Sequence, residues 1–282
     1  MFTDVDLGAI AREHLPHDIA ERWIELLQPA IQLDSDSSKG ATVVGYLGGE
    51  PELPIDLLWP EWPGEGPLNF VAALDCASLP HLPELSLPDS GALLFFYYDG
   101  AYPGRPAVVL SDDPQSQAGA RIAYVPSGTP TSLRPTPDGI TAYRKVALRA
   151  AVVSTAPSYD HFTVYSAFPE MDQEGVDHPV CSDEFVDALD LGYHFGHQLG
   201  GYALPIQGPV EFEVAQAALG GVDWRSPELP AEAARWRLLA QFTSDQRAGM
   251  MWGDVGTLYW LIKPEDLIAQ RFDNALFTWQ CS

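Results

Sequence analysis

Basic residues are scarce in this chain: 15 Lys and Arg stand against 39 Asp and Glu over 282 residues, a formal charge of −24. A field of that sign repels phosphate backbones and anionic headgroups, so no direct nucleic-acid binding is expected. The same field attracts a basic protein, although an acidic surface also serves plain solubility. Long apolar runs are missing as well. Stretches such as Gly91 to Tyr98 fall far short of the ~20 residues that cross a bilayer, and no membrane insertion is expected. The start, Met1 to Asp6, has neither the positive residues nor the apolar run of a secretory signal, which points to the cytoplasm. Only three cysteines occur, Cys76, Cys181 and Cys281, an odd and widely spaced set that suits reduced thiols rather than a disulfide framework. Familiar catalytic signatures are absent too. Ser90 lies in Pro88-Asp89-Ser90-Gly91-Ala92 without a nucleophile elbow, and Gly64-Glu65-Gly66 lacks the downstream Gly or Lys of a phosphate cradle.

What is present is apolar residues at 46%, with 25 prolines and 24 glycines that cut the chain into short segments. Residues 1–33 read as a helical segment: Leu7, Ile10 and Ala11 share a face, and Ile19, Trp23, Leu26 and Leu27 follow helical spacing behind a possible cap at Asp18. Beyond the polar connector Asp34 to Gly40 the pattern turns to strands. The candidates are Thr42 to Leu47, Leu68 to Leu74, Ala92 to Tyr98, Ala107 to Leu110, Ile122 to Val125, Val146 to Val153, Leu238 to Phe242, Thr257 to Ile262 and Ala275 to Trp279. Later helices are expected only at Asp183 to Leu191 and Pro264 to Gln270. With no clean linker in the middle, the chain divides into a β-rich half over 41–155 and another over 156–282, packed as one compact unit. The fold class expected is α+β, mainly β.

Three signatures occur twice in the same order, the mark of an internal duplication. Leu47-Gly48-Gly49 returns as Leu199-Gly200-Gly201, each followed by a Leu-Pro. Phe70 to Asp75 corresponds to Leu238 to Thr243, and Asp89-x-Gly91-x-Leu93-x-Phe95 corresponds to Asp254-x-Gly256-x-Leu258-x-Trp260. The second copy is longer, and an extra loop within Gly208 to Arg235 accounts for it. A pseudo-two-fold architecture follows.

The strings Gly48-Gly49-x-Pro51-x-Leu53-Pro54, Trp59-Pro60 and Pro67 to Phe70 resemble the YwqG-like family of bacterial proteins of unknown function. So do His197 to Tyr202, Ile206-Gln207, Trp236 to Asp245, Trp252-Gly253-Asp254-x-Gly256 and Phe272 to Gln280. The resemblance covers roughly residues 40–282 and departs at Ala73, where members carry the Gln that this chain has at Gln241. It implies a duplicated α+β architecture dominated by strands, and no reaction, cofactor or catalytic residue. Some members resemble immunity-associated proteins encoded near bacterial toxins, which implies a protein-binding role.

Three residue sets could carry chemistry. His178, Cys181, His194 and His197 have the two-residue gaps that suit tetrahedral zinc, the alternative being a loop histidine cluster. Among the tryptophans, Trp236 and Trp260 read as core, whereas Trp59, Trp62 and Trp252 sit in turns where rings can meet a ligand or partner. Asp75, Asp89, Asp245 and Asp254 could pair across the pseudo-two-fold axis, or could simply bond their own turns. The expected function is a non-enzymatic acidic binding protein, in its specific form an immunity-type partner of a basic toxin. The alternative is an enzyme or small-ligand protein using the cleft between the halves, around Asp75, Gln207, Gln241, Trp252 and Asp254, with His197 a further candidate for ligand or partner contact.

Overall fold

Asp6 opens the first helix, α1 (Leu7–His14), by accepting from the backbone N–H of Ala9 at 2.9 Å. Pro16 precedes the second, α2 (His17–Ile24), and Asp18 lies inside its first turn rather than capping it. The computed structural model describes residues 5–35, 42–100, 107–140, 142–171, 177–192 and 196–282. Within them the N-terminal segment does not stay helical to residue 33. Gln28–Asp34 form a strand, β1, because both of its edges find partners and Ala30, Ile31 and Leu33 become fully buried. Tertiary pairing overrides the helical spacing there.

The remaining strands of the main sheet are β2 (Val43–Leu47), β3 (Asn69–Asp75), β4 (Ala92–Tyr97), β5 (Ala120–Val125) and β6 (Val146–Thr155). They are followed by β7 (His197–Leu199), β8 (Arg237–Thr243), β9 (Thr257–Ile262) and β10 (Leu276–Gln280). All ten run antiparallel to their neighbours in the order β10-β9-β8-β7-β1-β6-β2-β3-β4-β5. That order reads alike from either end, with one four-strand meander on each side of the central pair β1 and β6.

Local details also recur. The β3–β4 register slips between Phe70 and Ala72, and the β8–β9 register slips between Leu238 and Ala240. Each extra residue bends its strand and frees a carbonyl. Gly48 N–H donates to that of Val71 at 2.8 Å, and Gly200 N–H donates to that of Leu239 at 3.2 Å. Both glycine pairs hold left-handed φ values, 55° and 75° for Gly48 and Gly49, 64° and 65° for Gly200 and Gly201, which a side chain would strain.

The sheet curls so that its two edge strands meet. Gln117, just before β5, donates its amide N–H to Phe277 O at 2.9 Å and accepts from Phe277 N–H at 2.8 Å, so a side chain stands in for a paired strand along β10. Inside the curl, Phe95 of β4 meets Phe242 and Trp260 of the other half edge-on at 5.0 and 5.3 Å between ring centroids, and Tyr97 stacks on Phe277 at 5.0 Å. Such pairs add about 0.5–1.5 kcal/mol beyond area burial.

Four further helices, and a fifth near the end, lie outside the curl. They are α3 (Phe162–Ala167), α4 (Asp183–Gly192), α5 (Val210–Ala218), α6 (Leu229–Ala233) and α7 (Pro264–Ile268). The interval from 208 to 235 therefore carries two helices where a loop was expected. Val210 and Val214 pack there on Trp236, Leu238, Tyr259 and Leu261, covering the outer face of one meander. On the other meander the segment with Leu53, Trp59 and Trp62 covers Phe70, Phe96 and Tyr98. Helices α1, α2 and α4 share a separate cluster in which Trp23 meets Phe185 edge-on at 5.1 Å. Ala107 to Leu110 is not a strand. Its backbone groups are taken by side chains instead: Ser116 Oγ accepts from Leu110 N–H at 2.8 Å, and Trp279 donates to Val109 O at 3.2 Å. Among the described residues no helix is long and apolar enough to cross a membrane.

Candidate functional site

The antiparallel pairing of β1 with β7 sets Leu33 opposite His197, and the pairing of β7 with β8 sets Gln198 opposite Gln241. The three strand ends thereby converge with Ser35 and with the turn after β8, which a pair of backbone bonds closes between Asp245 and Met250. Between them lies a polar cavity of about 250 Å³ lined by Gln32, Asp34, Ser35, His197, Asp245 and Arg247 among others.

Its side chains are bonded in series. Thr243 N–H donates to His197 Nδ1 at 3.2 Å, which assigns the ring proton to Nε2, and Nε2 faces Asp245 Oδ2 at 3.4 Å. Ser35 Oγ donates to the same Oδ2 at 2.7 Å, and Arg247 donates to Ser35 Oγ at 3.0 Å. Ala248 N–H supplies the other carboxylate oxygen at 2.9 Å. Burial alone would raise the Asp245 carboxyl, but the bonds from His197, Ser35 and Ala248 outweigh it and hold the group well below the usual carboxylate range.

This arrangement bears on catalysis. A Ser-His-Asp relay needs the imidazole between hydroxyl and carboxylate, with a lone pair turned toward the hydroxyl. Here the carboxylate stands in the middle, the imidazole lone pair is engaged by the backbone, and the acid is a poor base. The constellation can hold three chain segments in register and present a polar surface.

Of the residues singled out in the sequence, His197 and Asp245 belong to this network, and Gln241 stands directly behind it. Gln241 is 0% exposed, accepts from Leu204 N–H at 3.0 Å and donates to Gly196 O at 3.0 Å. Gln241→Leu, which keeps the volume but orphans both buried backbone groups, is expected to cost about 2 kcal/mol in urea unfolding. A loss under about 0.5 kcal/mol would show that the amide is not the tether of these loops.

The other candidates lie elsewhere. Asp75 is exposed and bonds its own turn through Ala77 N–H at 3.2 Å and Ser78 Oγ at 2.6 Å. Asp254 is exposed and uses its backbone carbonyl to receive Ser282 N–H at 3.1 Å. Gln207 is exposed, and its N–H donates to Gln280 Oε1 at 2.9 Å. Trp252 is 2% exposed, edge-on to Tyr97 and Tyr143, which makes it a core ring rather than a presented one. Trp59 and Trp62 are half-buried, with Trp59 donating to Leu68 O at 2.8 Å and both rings edge-on to Phe96 and Tyr98 respectively.

For zinc, His194 lies outside the described residues. His178 Nδ1 accepts from Val180 N–H at 3.4 Å, and His197 is committed to Thr243 and Asp245. Among the described residues no group of three or more His, Cys, Asp or Glu side chains is placed to hold a metal ion. Sequence reasoning missed Ser35 and Arg247. The only local signal was a lone Arg in an acidic chain, two residues beyond a candidate Asp.

A protein-family model described as a domain of unknown function, DUF1963, matches residues 46–281. No curated protein matches the chain.

Proposed function

The chain belongs to the DUF1963 family, and from that premise we propose that it is a non-catalytic binding protein whose acidic surface receives a basic protein partner. The observation that carries this reading is how the cations are used. Arg12 is bonded to Glu21, Arg22 to Glu170, Arg235 and Lys263 to Glu232, and Arg271 to Asp266. Arg121, Arg134, Arg144 and Arg237 donate to backbone carbonyls. These cations are tied down locally, and the excess of carboxylates, 39 against 15 Lys and Arg, remains uncancelled. Helix α4 is one such acidic face: Asp183, Glu184, Asp187 and Asp190 are exposed while Phe185 and Leu189 point inward. Complementary charge of this kind speeds encounter with a basic protein and disfavours acidic ones.

The specific form of the reading is an immunity-type partner of a basic toxin in a YwqG-like protein, and it draws on the sequence resemblance. We also read the halves as descendants of one duplicated unit. The mirrored strand order, the matching register slips and the two left-handed glycine pairs support that reading.

The test is recovery of the tagged protein from its native host at low salt, with mass spectrometry of what comes with it. A basic protein in near-equal amount is expected. Neutralising Asp183, Asp187 and Asp190 together to Asn should then slow its association about tenfold. If no stoichiometric basic partner is recovered, the proposal fails.

A further inference from the structure

A second cleft lies where the halves meet. The loop of the first half that carries Glu84, Leu85 and Ser86 reaches across to the glycine turn of the second, where Leu85 packs on Gly200 so closely that an added Cβ would stand 3.0 Å from it. Beneath this bridge is a cavity of about 280 Å³. That is room for about nine waters at liquid density, the bulk of one apolar amino acid. Its apolar lining comes from Leu27 at the approach to β1, Leu238 of β8, and Leu267 and Ile268 of α7. Ile268 is 69% exposed, whereas Leu267 beside it is buried.

Two opposite charges line the same cleft. Arg237 fixes one end of its guanidinium by donating through Nη1 to Ala234 O at 2.8 Å and Trp236 O at 2.7 Å, and its Nε and Nη2 donate to no group among the described residues. Glu84 is exposed and makes no hydrogen bond or ion pair among the described residues. The two are not bridged to one another, so the cleft holds an oriented cation and a separate anion over an apolar floor.

This combination selects a chemistry. A bare carboxylate would carry its charge into a field of net −24 and past Glu84, and a bare amine would face Arg237. A molecule bearing both groups has no net charge to be repelled and offers a partner to each, while its apolar part displaces water from Leu238, Leu267 and Ile268. We propose that this cleft binds a small apolar zwitterion, an apolar amino acid, with its carboxylate on Arg237 and its ammonium toward Glu84.

Calorimetric titration of the full chain with leucine and with phenylalanine tests this, with hexanoate and hexylamine as singly charged controls. One amino acid per chain should bind saturably, and the controls should bind at least tenfold more weakly. Arg237→Gln and Glu84→Gln should each weaken the amino acid about tenfold. Ser86→Trp, at an exposed lining residue whose change does not threaten the fold, should abolish binding by filling the cleft. The proposal is overturned if neither amino acid saturates, if a control binds as tightly as the zwitterion, or if Glu84→Gln and Ser86→Trp leave binding unchanged. The last two variants decide the matter even where loss of Arg237 disturbs the chain that it ties down.

Discussion

Phe95→Ala is expected to lower the unfolding free energy by about 3–5 kcal/mol, and to do so within a single transition shared by both halves. Phe95 is fully buried on β4, yet the rings that it touches, Phe242 and Trp260, belong to the other meander. Truncation removes the ring's transfer energy and leaves a cavity walled by strands from both halves, which the curled sheet cannot easily collapse. Urea unfolding followed by tryptophan fluorescence and by far-ultraviolet dichroism reads out both points. Two separated transitions, or a loss under about 1 kcal/mol, would show that the halves do not share one core.

Asp245→Asn is expected to cost about 2–3 kcal/mol near neutral pH. The amide would turn an N–H toward either Ala248 N–H or the donors of Ser35 and His197, so at least one buried donor loses its acceptor. The effect should also depend on acidity. The Asp245 carboxyl of the folded protein titrates below its ordinary value of about 3.9. Its contribution is therefore present in full above that ordinary value and fades as the pH falls toward the depressed one. The gap in stability between the native protein and the variant should stay level from about pH 7 to about pH 5 and shrink below about pH 4. A gap that grew on acidification would contradict the assigned network.

The strands whose side chains are buried on both faces were legible from composition alone. Thr257 to Ile262 and Asn69 to Leu74 are unbroken runs of residues that fit a covered sheet, and they are strands with little change of boundary. What escaped was structure decided at long range. Residues 28–34 follow α2 after only three residues, with Pro29 the one local sign of a break, and pairing on both edges makes them a strand. β7 is three residues long, too short for any periodicity. Helices α5 and α6 lie in a stretch rich in Pro and Gly, although Val210, Val214 and Ala217 keep helical spacing after Pro209 and Glu211 and Glu213 occupy the first turn. At the candidate site, His197 and Asp245 were each visible as residues of interest. Nothing local joined them to Ser35, because that meeting depends on the register of three strands far apart in the chain.

One of the two middle strands, β1, is also the first strand of the sheet to be made. β1 leaves the ribosome early, but the strand opposite Gln28 contains Thr155 and the one opposite Leu33 contains His197. For most of translation both edges of an apolar strand stand bare, a template for pairing with the wrong neighbour. Both edges of β1 can be covered only once residue 199 has emerged, and the sheet is complete only with Gln280, so the pace of synthesis is expected to affect how much of the product assembles correctly.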